Sequence, residues 1–211
     1  MDLQFFGANC IVLTNKGTRI VIDDNLESLG AKSVTRPDDV AVFTSRQVKH
    51  PKAKLVFDGP GEYEVADISI TGIPSRAHTE EAKNGVANTM IKLVIGDTSI
   101  VITGHVHPDI SASQLEAIGT IDILFVPIGG SGFTLDPIGA LRLVKEVEPK
   151  IVIPTHYADS ALNYEVPQSD LESALKDMAM VPKDRTTKLK IKANSTIEFA
   201  EGTSLIVLEK S

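Results

Sequence analysis

Two short runs constrain this 211-residue chain more than any others: IDILFVPIGG at 121–130 and PKIVIPTHY at 149–157. Within them, 123–128 and 151–154 are apolar without a break. A strand with one wet face alternates apolar and polar residues, so an unbroken run closing in glycine or proline belongs to a strand buried on both faces. Between the runs, Asp136-Pro137 reads as an N-cap followed by proline at the first helical position. Ile138, Leu141, Val144 and Lys145 then mark a helix that stops before Pro149. The second half is therefore strand–helix–strand, the pattern of an α/β layer structure.

The first half is strand-rich. Strand-like runs fall at 3–6, 10–14, 19–23, 40–44, 54–57, 67–73, 89–95 and 99–103, separated by short Gly, Asn, Asp or Pro turns. Glu62-Tyr63-Glu64 lines a cleft or begins a further strand. A short amphipathic helix is expected at 111–118. Ser169-x-x-Glu172 reads as a capping box for a last helix. The tail, from about 187 to 208, returns to strands. No repeat or linker divides the chain, so residues 1–211 read as one α/β domain.

Composition excludes several classes. With Lys plus Arg at 21 and Asp plus Glu at 28, the net charge is −7, and the pI near 5.2 argues against nucleic acid as a partner. Cys10 is the single cysteine, so no intrachain disulfide forms. No apolar run approaches the ~20 residues of a membrane helix, and the N-terminus lacks the pattern of a signal peptide. A soluble cytoplasmic protein that does not bind membranes is expected.

Chemistry centres on the five histidines. ITGHVHPD at 102–109 offers His-x-His-x-Asp at the end of a strand, a spacing suited to a metal site. Each histidine also has a structural reading. His50 and His78 sit in sequence typical of exposed loops. His105 and His107 could be hydrogen-bonded at a strand end, and His156 could only pin its loop. Asp109 could cap the following helix. Gly129-Gly130-Ser131-Gly132 lacks the lysine and spacing of a phosphate loop.

Several pieces resemble the metallo-β-lactamase-fold hydrolases of the UlaG-like type. They are FFGANCIVLTNKGTRIVIDDN, GPGEYEV, the stretch from Ala77-His78 to Asn88, the long segment 121–150, and IVIPTHY. The resemblance covers nearly the whole chain. It implies an αββα four-layer sandwich and one or two metal ions, commonly zinc or manganese, on loops at the sheet edges. In this family the first ligands form His-x-His-x-Asp-His after a strand. That slot falls here on TSRQVKH, with Ser45 and Gln47 at the first two histidines, Lys49 at the aspartate, and only His50 matching. The remaining slots fall on His78, on His105 where the family has aspartate, and on His156. His107 lies two positions beyond His105.

Two readings follow from this resemblance. In the first, an eroded two-metal hydrolase site retains at most one zinc or manganese at His50, His105 and His156, with His78 nearby. Asp23 and Asp24 orient a ligand from behind, or merely start a turn. Tyr157 hydrogen-bonds in the cleft or packs in the core. In the second, no metal binds, and Arg46 and Lys49 supply positive charge for a small anionic ligand. Relatives of this type often self-associate, which leaves a homo-oligomer open.

Overall fold

The structure is a computed structural model and describes residues 1–46, 51–78, 87–191 and 202–211. In chain order the strands are β1 (Asp2–Gly7), β2 (Cys10–Asn15), β3 (Thr18–Ile22), β4 (Val40–Val42), β5 (Leu55–Phe57), β6 (Gly61–Val65), β7 (Ile68–Arg76), β8 (Ala87–Ile95), β9 (Thr98–Ile102), β10 (Ile123–Pro127), β11 (Ile151–Thr155), β12 (Pro182–Thr186), β13 (Leu189–Lys190) and β14 (Ser204–Leu208). The helices are α1 (Ala112–Ile118), α2 (Pro137–Val147) and α3 (Leu171–Asp177). One sheet has the order β13-β1-β2-β3-β4-β5, the other β12-β14-β11-β10-β9-β8-β7-β6.

The two unbroken apolar runs become β10 and β11, paired in parallel, and every residue in both is buried. Their side chains divide between two cores. Ile123, Phe125, Ile151 and Ile153 point between the sheets, where they meet Leu3, Phe5, Ile11, Leu13, Ile20 and Ile22 of the smaller sheet. Leu124, Val126 and Val152 point outward to a second core with Ala140, Leu143 and Val144 of α2 and Ala174 and Leu175 of α3. The outer face of the smaller sheet packs Cys10, Val12 and Val21 against Leu26 of a single 3₁₀ turn and against Leu162. The architecture is the expected four-layer αββα sandwich. Among the described residues, its fourth layer is this 3₁₀ turn and the 157–165 loop rather than a long helix.

Local signals explain the helix starts. Asp136 accepts the Gly139 N–H at 2.7 Å and caps α2. Ser111 and Gln114 form a capping box at α1. The third expected cap shifts by one residue: Asp170, not Ser169, accepts the Ser173 N–H and starts α3. Ser169 is held elsewhere, donating its N–H to the Gly129 carbonyl and accepting from Ala158 N–H. Asp109 caps nothing, because it pairs with Arg142 at 2.8 Å. Glu62-Tyr63-Glu64 lies in β6, an edge strand, with Tyr63 stacked on Phe57. The sequence pattern misses β12 because PKDRT is polar. It adds in parallel to β14 as the edge of the larger sheet. No described helix is long and apolar enough to cross a membrane.

Phe125 is 1% exposed at the centre of the inter-sheet core. Phe125→Ala is expected to cost about 3–5 kcal/mol through lost burial and a residual cavity, measured by urea unfolding.

Candidate functional site

β9, β10 and β11 run parallel, and β7 runs the same way because it is antiparallel to β8, itself antiparallel to β9. Their carboxyl ends therefore share one edge of the larger sheet, where ligand sites form in layered α/β folds. His78 follows β7, His105 follows β9, Phe133 follows β10 and His156 follows β11. The smaller sheet reaches the same edge after β4. There the Thr44 carbonyl accepts the Thr89 N–H at 2.6 Å, and Ser45 bridges to Asn88.

Two histidines meet directly. The His105 and His156 rings lie edge to face, with centroids 4.7 Å apart at 88°. Phe133 stands edge-on to His105 at 5.0 Å, and Tyr164 leans on His156 at 5.1 Å. Aromatic groups in such edge-on contact form a fixed wall. Burial, then the neighbouring His156 and His78, push the His105 pKa down to about 3. Burial also lowers that of His156, which is 3% exposed, against the raising effect of its hydrogen bond to the Gln168 side chain. Both rings are therefore neutral lone-pair donors at pH 7.

The other expected residues are placed as follows. His78 is half-buried, its N–H donating to the His105 carbonyl at 2.8 Å. Its Nδ1 is buried with no hydrogen-bond partner among the described residues, an arrangement that costs free energy unless something fills it. Burial, then His107, lowers its pKa. The His107 ring lies 6.2 Å from that of His78, on the rim. Its Nδ1 faces Arg76 and accepts the Asp109 N–H at 3.1 Å, so its proton sits on Nε2.

His50 and Lys49 lie outside the described residues, and so does Gln47. Arg46 is exposed.

The two carboxylates expected behind the site hold loops instead. Asp23 accepts both the Thr44 N–H and its hydroxyl, each at 2.7 Å. Oδ2 of Asp24 accepts from Ser33, Val34 and Thr35. Tyr157 faces away from the histidines. It packs at 5.6 Å from Phe5 and donates to the Leu208 carbonyl at 3.4 Å, and burial raises its pKa to about 12. Sequence reasoning missed Phe133, Tyr164 and Gln168, which line the His105–His156 pair. Each sits in a loop whose local sequence carries no periodic signal, so only the folded chain brings them there.

The arrangement matches known proteins across most of its length. A model of the β-lactamase superfamily domain matches residues 2–156. The chain belongs to the β-lactamase superfamily, and its fold is that of the metallo-β-lactamase superfamily. A UPF0173 protein of Pyrococcus abyssi is 24% identical over 184 residues, 74% of this chain and 83% of that one. A UPF0173 metal-dependent hydrolase of Carboxydothermus hydrogenoformans is 40% identical over 65 residues, 31% of this chain and 28% of the relative. In structure, a Thermotoga maritima protein assigned as a zinc-dependent hydrolase of this superfamily aligns with TM-score 0.71 and 22% identity, covering 98% of this chain and 97% of that one. At that identity the likeness carries the fold.

Two outcomes are expected here. Gly104 has φ +59, and a Cβ there would lie 2.4 Å from Thr44 Cβ and 2.7 Å from Asn88 Oδ1. Gly104→Ala should then destabilise the protein by about 2–4 kcal/mol through strain and overpacking, read as a lower urea midpoint. Burial raises the Asp23 pKa from 3.8 to about 6. The folded state then holds this proton more tightly than the unfolded one, so stability falls as pH rises from about 4 to about 6. Asp23→Asn keeps an acceptor for the Thr44 N–H and tolerates the φ of +50. It should flatten the stability profile over that window in denaturant titrations.

Proposed function

We propose that this protein is a metallo-β-lactamase-fold hydrolase whose site retains at most one divalent metal ion. The observation that carries the reading is the neutral His105–His156 pair beside His78, whose buried Nδ1 has no hydrogen-bond partner among the described residues. Imidazole donors suit zinc better than manganese, and three of them with one open position make a hydrolytic zinc site. The residues that would hold the ion are His105, His156 and His50, with His78 alongside. A second ion fits poorly, because Ser45 and Gln47 stand where a pair of histidines would be needed and His105 stands where a bridging carboxylate would be. When bound, such an ion polarises a scissile bond and makes water acidic enough to attack it.

The chain's own groups have separable tasks. His105, with its pKa near 3, cannot hold a proton near neutrality and serves as a lone-pair donor. His107 offers an Nε2–H hydrogen-bond donor from the rim. Phe133 and Tyr164 exclude water from the two inner histidines and hold their planes. The family resemblance and the names of the relatives support hydrolysis. The bond cleaved is an ester, amide or phosphodiester type in this reading.

A second reading is favoured by how the donors are spread. Among the described residues, no three His, Cys, Asp or Glu side chains converge as an ion requires. In that reading the cleft binds a small anion without metal, drawn by Arg46 and Lys49.

Zinc, manganese and iron per chain, measured on protein purified without a histidine tag, separate the two. The first reading expects close to one ion per chain, lost in His105→Ala and His156→Ala. Absence of metal after reconstitution, with an unchanged melting temperature, would overturn it. A phosphate-dependent rise in melting temperature that survives EDTA and disappears in Lys49→Ala would support the second.

A further inference from the structure

The loop between β11 and α3 contains a feature that neither reading uses. Gln168 places Oε1 3.1 Å from His156 Nδ1, and its Nε2 donates to the Val166 carbonyl at 3.0 Å. The second bond sets which way the amide points, because only the NH₂ end can donate to a carbonyl. The oxygen is therefore the end presented to His156, and Nδ1 must carry the ring proton.

The surroundings are built to hold this amide. The Ser169 N–H donates to the Gly129 carbonyl at 2.8 Å, the Ala158 N–H donates to the Ser169 carbonyl at 2.9 Å, and the Ser131 hydroxyl donates to the Pro167 carbonyl. Gly129 makes room for it: a Cβ there would lie 1.9 Å from Gln168 Oε1 and 2.2 Å from the His156 carbonyl. The glycine-rich turn that fails as a phosphate loop thus serves as the seat of Gln168. His156 is fixed from its other sides as well. Its backbone, at φ +52, donates to the Ala8 carbonyl at 2.8 Å, and its ring centroid lies 5.1 Å from that of Tyr164 and 6.2 Å from that of Phe133.

We propose that Gln168 is the positioning residue of the site, holding His156 in the Nδ1–H tautomer so that Nε2 is the lone-pair donor. The proposal rests on the single-ion reading for the use of that donor, but not for the tautomer itself. A neutral amide oxygen orients the ring while adding no charge, whereas a carboxylate in the same place would make the imidazole more basic.

Long-range ¹⁵N–¹H NMR of the His156 ring nitrogens in metal-free protein tests the tautomer directly. Wild type should show a protonated, pyrrole-type Nδ1 and a pyridine-type Nε2. Gln168→Leu should shift the ring toward the Nε2–H form, and Gln168→Glu should keep Nδ1–H. An Nε2–H ring in wild type, or no change in Gln168→Leu, would overturn the proposal. If the leucine variant does not fold, the wild-type spectrum and the glutamate variant decide it. Zinc titration gives the second readout. Gln168→Leu should weaken binding by about 10–100-fold, with Gln168→Glu restoring it, and equal zinc affinity in all three would also overturn the proposal. Wild type with the expected tautomer but no zinc binding would overturn the single-ion reading and leave the orienting role standing.

Discussion

Burial of β10 and β11 on both faces is the constraint from which the rest follows. Strands with no polar face need an apolar layer on each side. The smaller sheet supplies one, with Phe125 and Ile153 meeting Phe5, Ile11 and Ile22, and α2 and α3 supply the other. Parallel pairing follows from the crossover through α2, and it aligns the carboxyl ends of β9, β10 and β11 on one edge. The same packing that makes the core therefore gathers His105, Phe133 and His156.

The site edge is where local comfort is exchanged for close approach. His156 and Asp23 both adopt positive φ without being glycine, a conformation that costs free energy and persists only when its surroundings hold it. Here the Ala8–His156 and Asp23–Thr44 bonds do so. Burial disfavours the charged form of the inner groups. The imidazoles of His105 and His156 are lowered and the Asp23 carboxyl is raised. Among the described residues the inner imidazoles are neutral, while the rim carries Arg76, Asp109 and Arg142 in an exposed ion-pair chain.

Legibility differed by the range of the interaction. Strand and helix positions were readable because periodicity and capping are local: Asp136-Pro137 marks α2 directly. The cap of α3 shifted from Ser169 to Asp170 because Ser169 is engaged by Gly129 and Ala158, residues far from it in sequence or across the loop. Asp23 and Asp24 read from sequence as supports for a histidine or as the start of a turn, and they do follow the end of β3. Their partners, Thr44 and the 33–35 loop, depend on how β3 and β4 lie side by side. Tyr157 was open between cleft and core, and alternation past the end of β11 turns it toward Phe5.

By itself the sequence determined the layered α/β class, the doubly buried strands and the set of histidines available, because hydrophobic pattern and residue identity are properties of the chain. Only the tertiary structure decided that His105 and His156 touch, that His78 buries a nitrogen with no partner among the described residues, and that His107 is committed to Arg76 and the Asp109 backbone. It also brought Gln168 against His156 through a loop seated on Gly129. The His105–His156 and Gly129–Gln168 contacts join loops that follow different strands, set by sheet order and close backbone approach, and no local pattern encodes them.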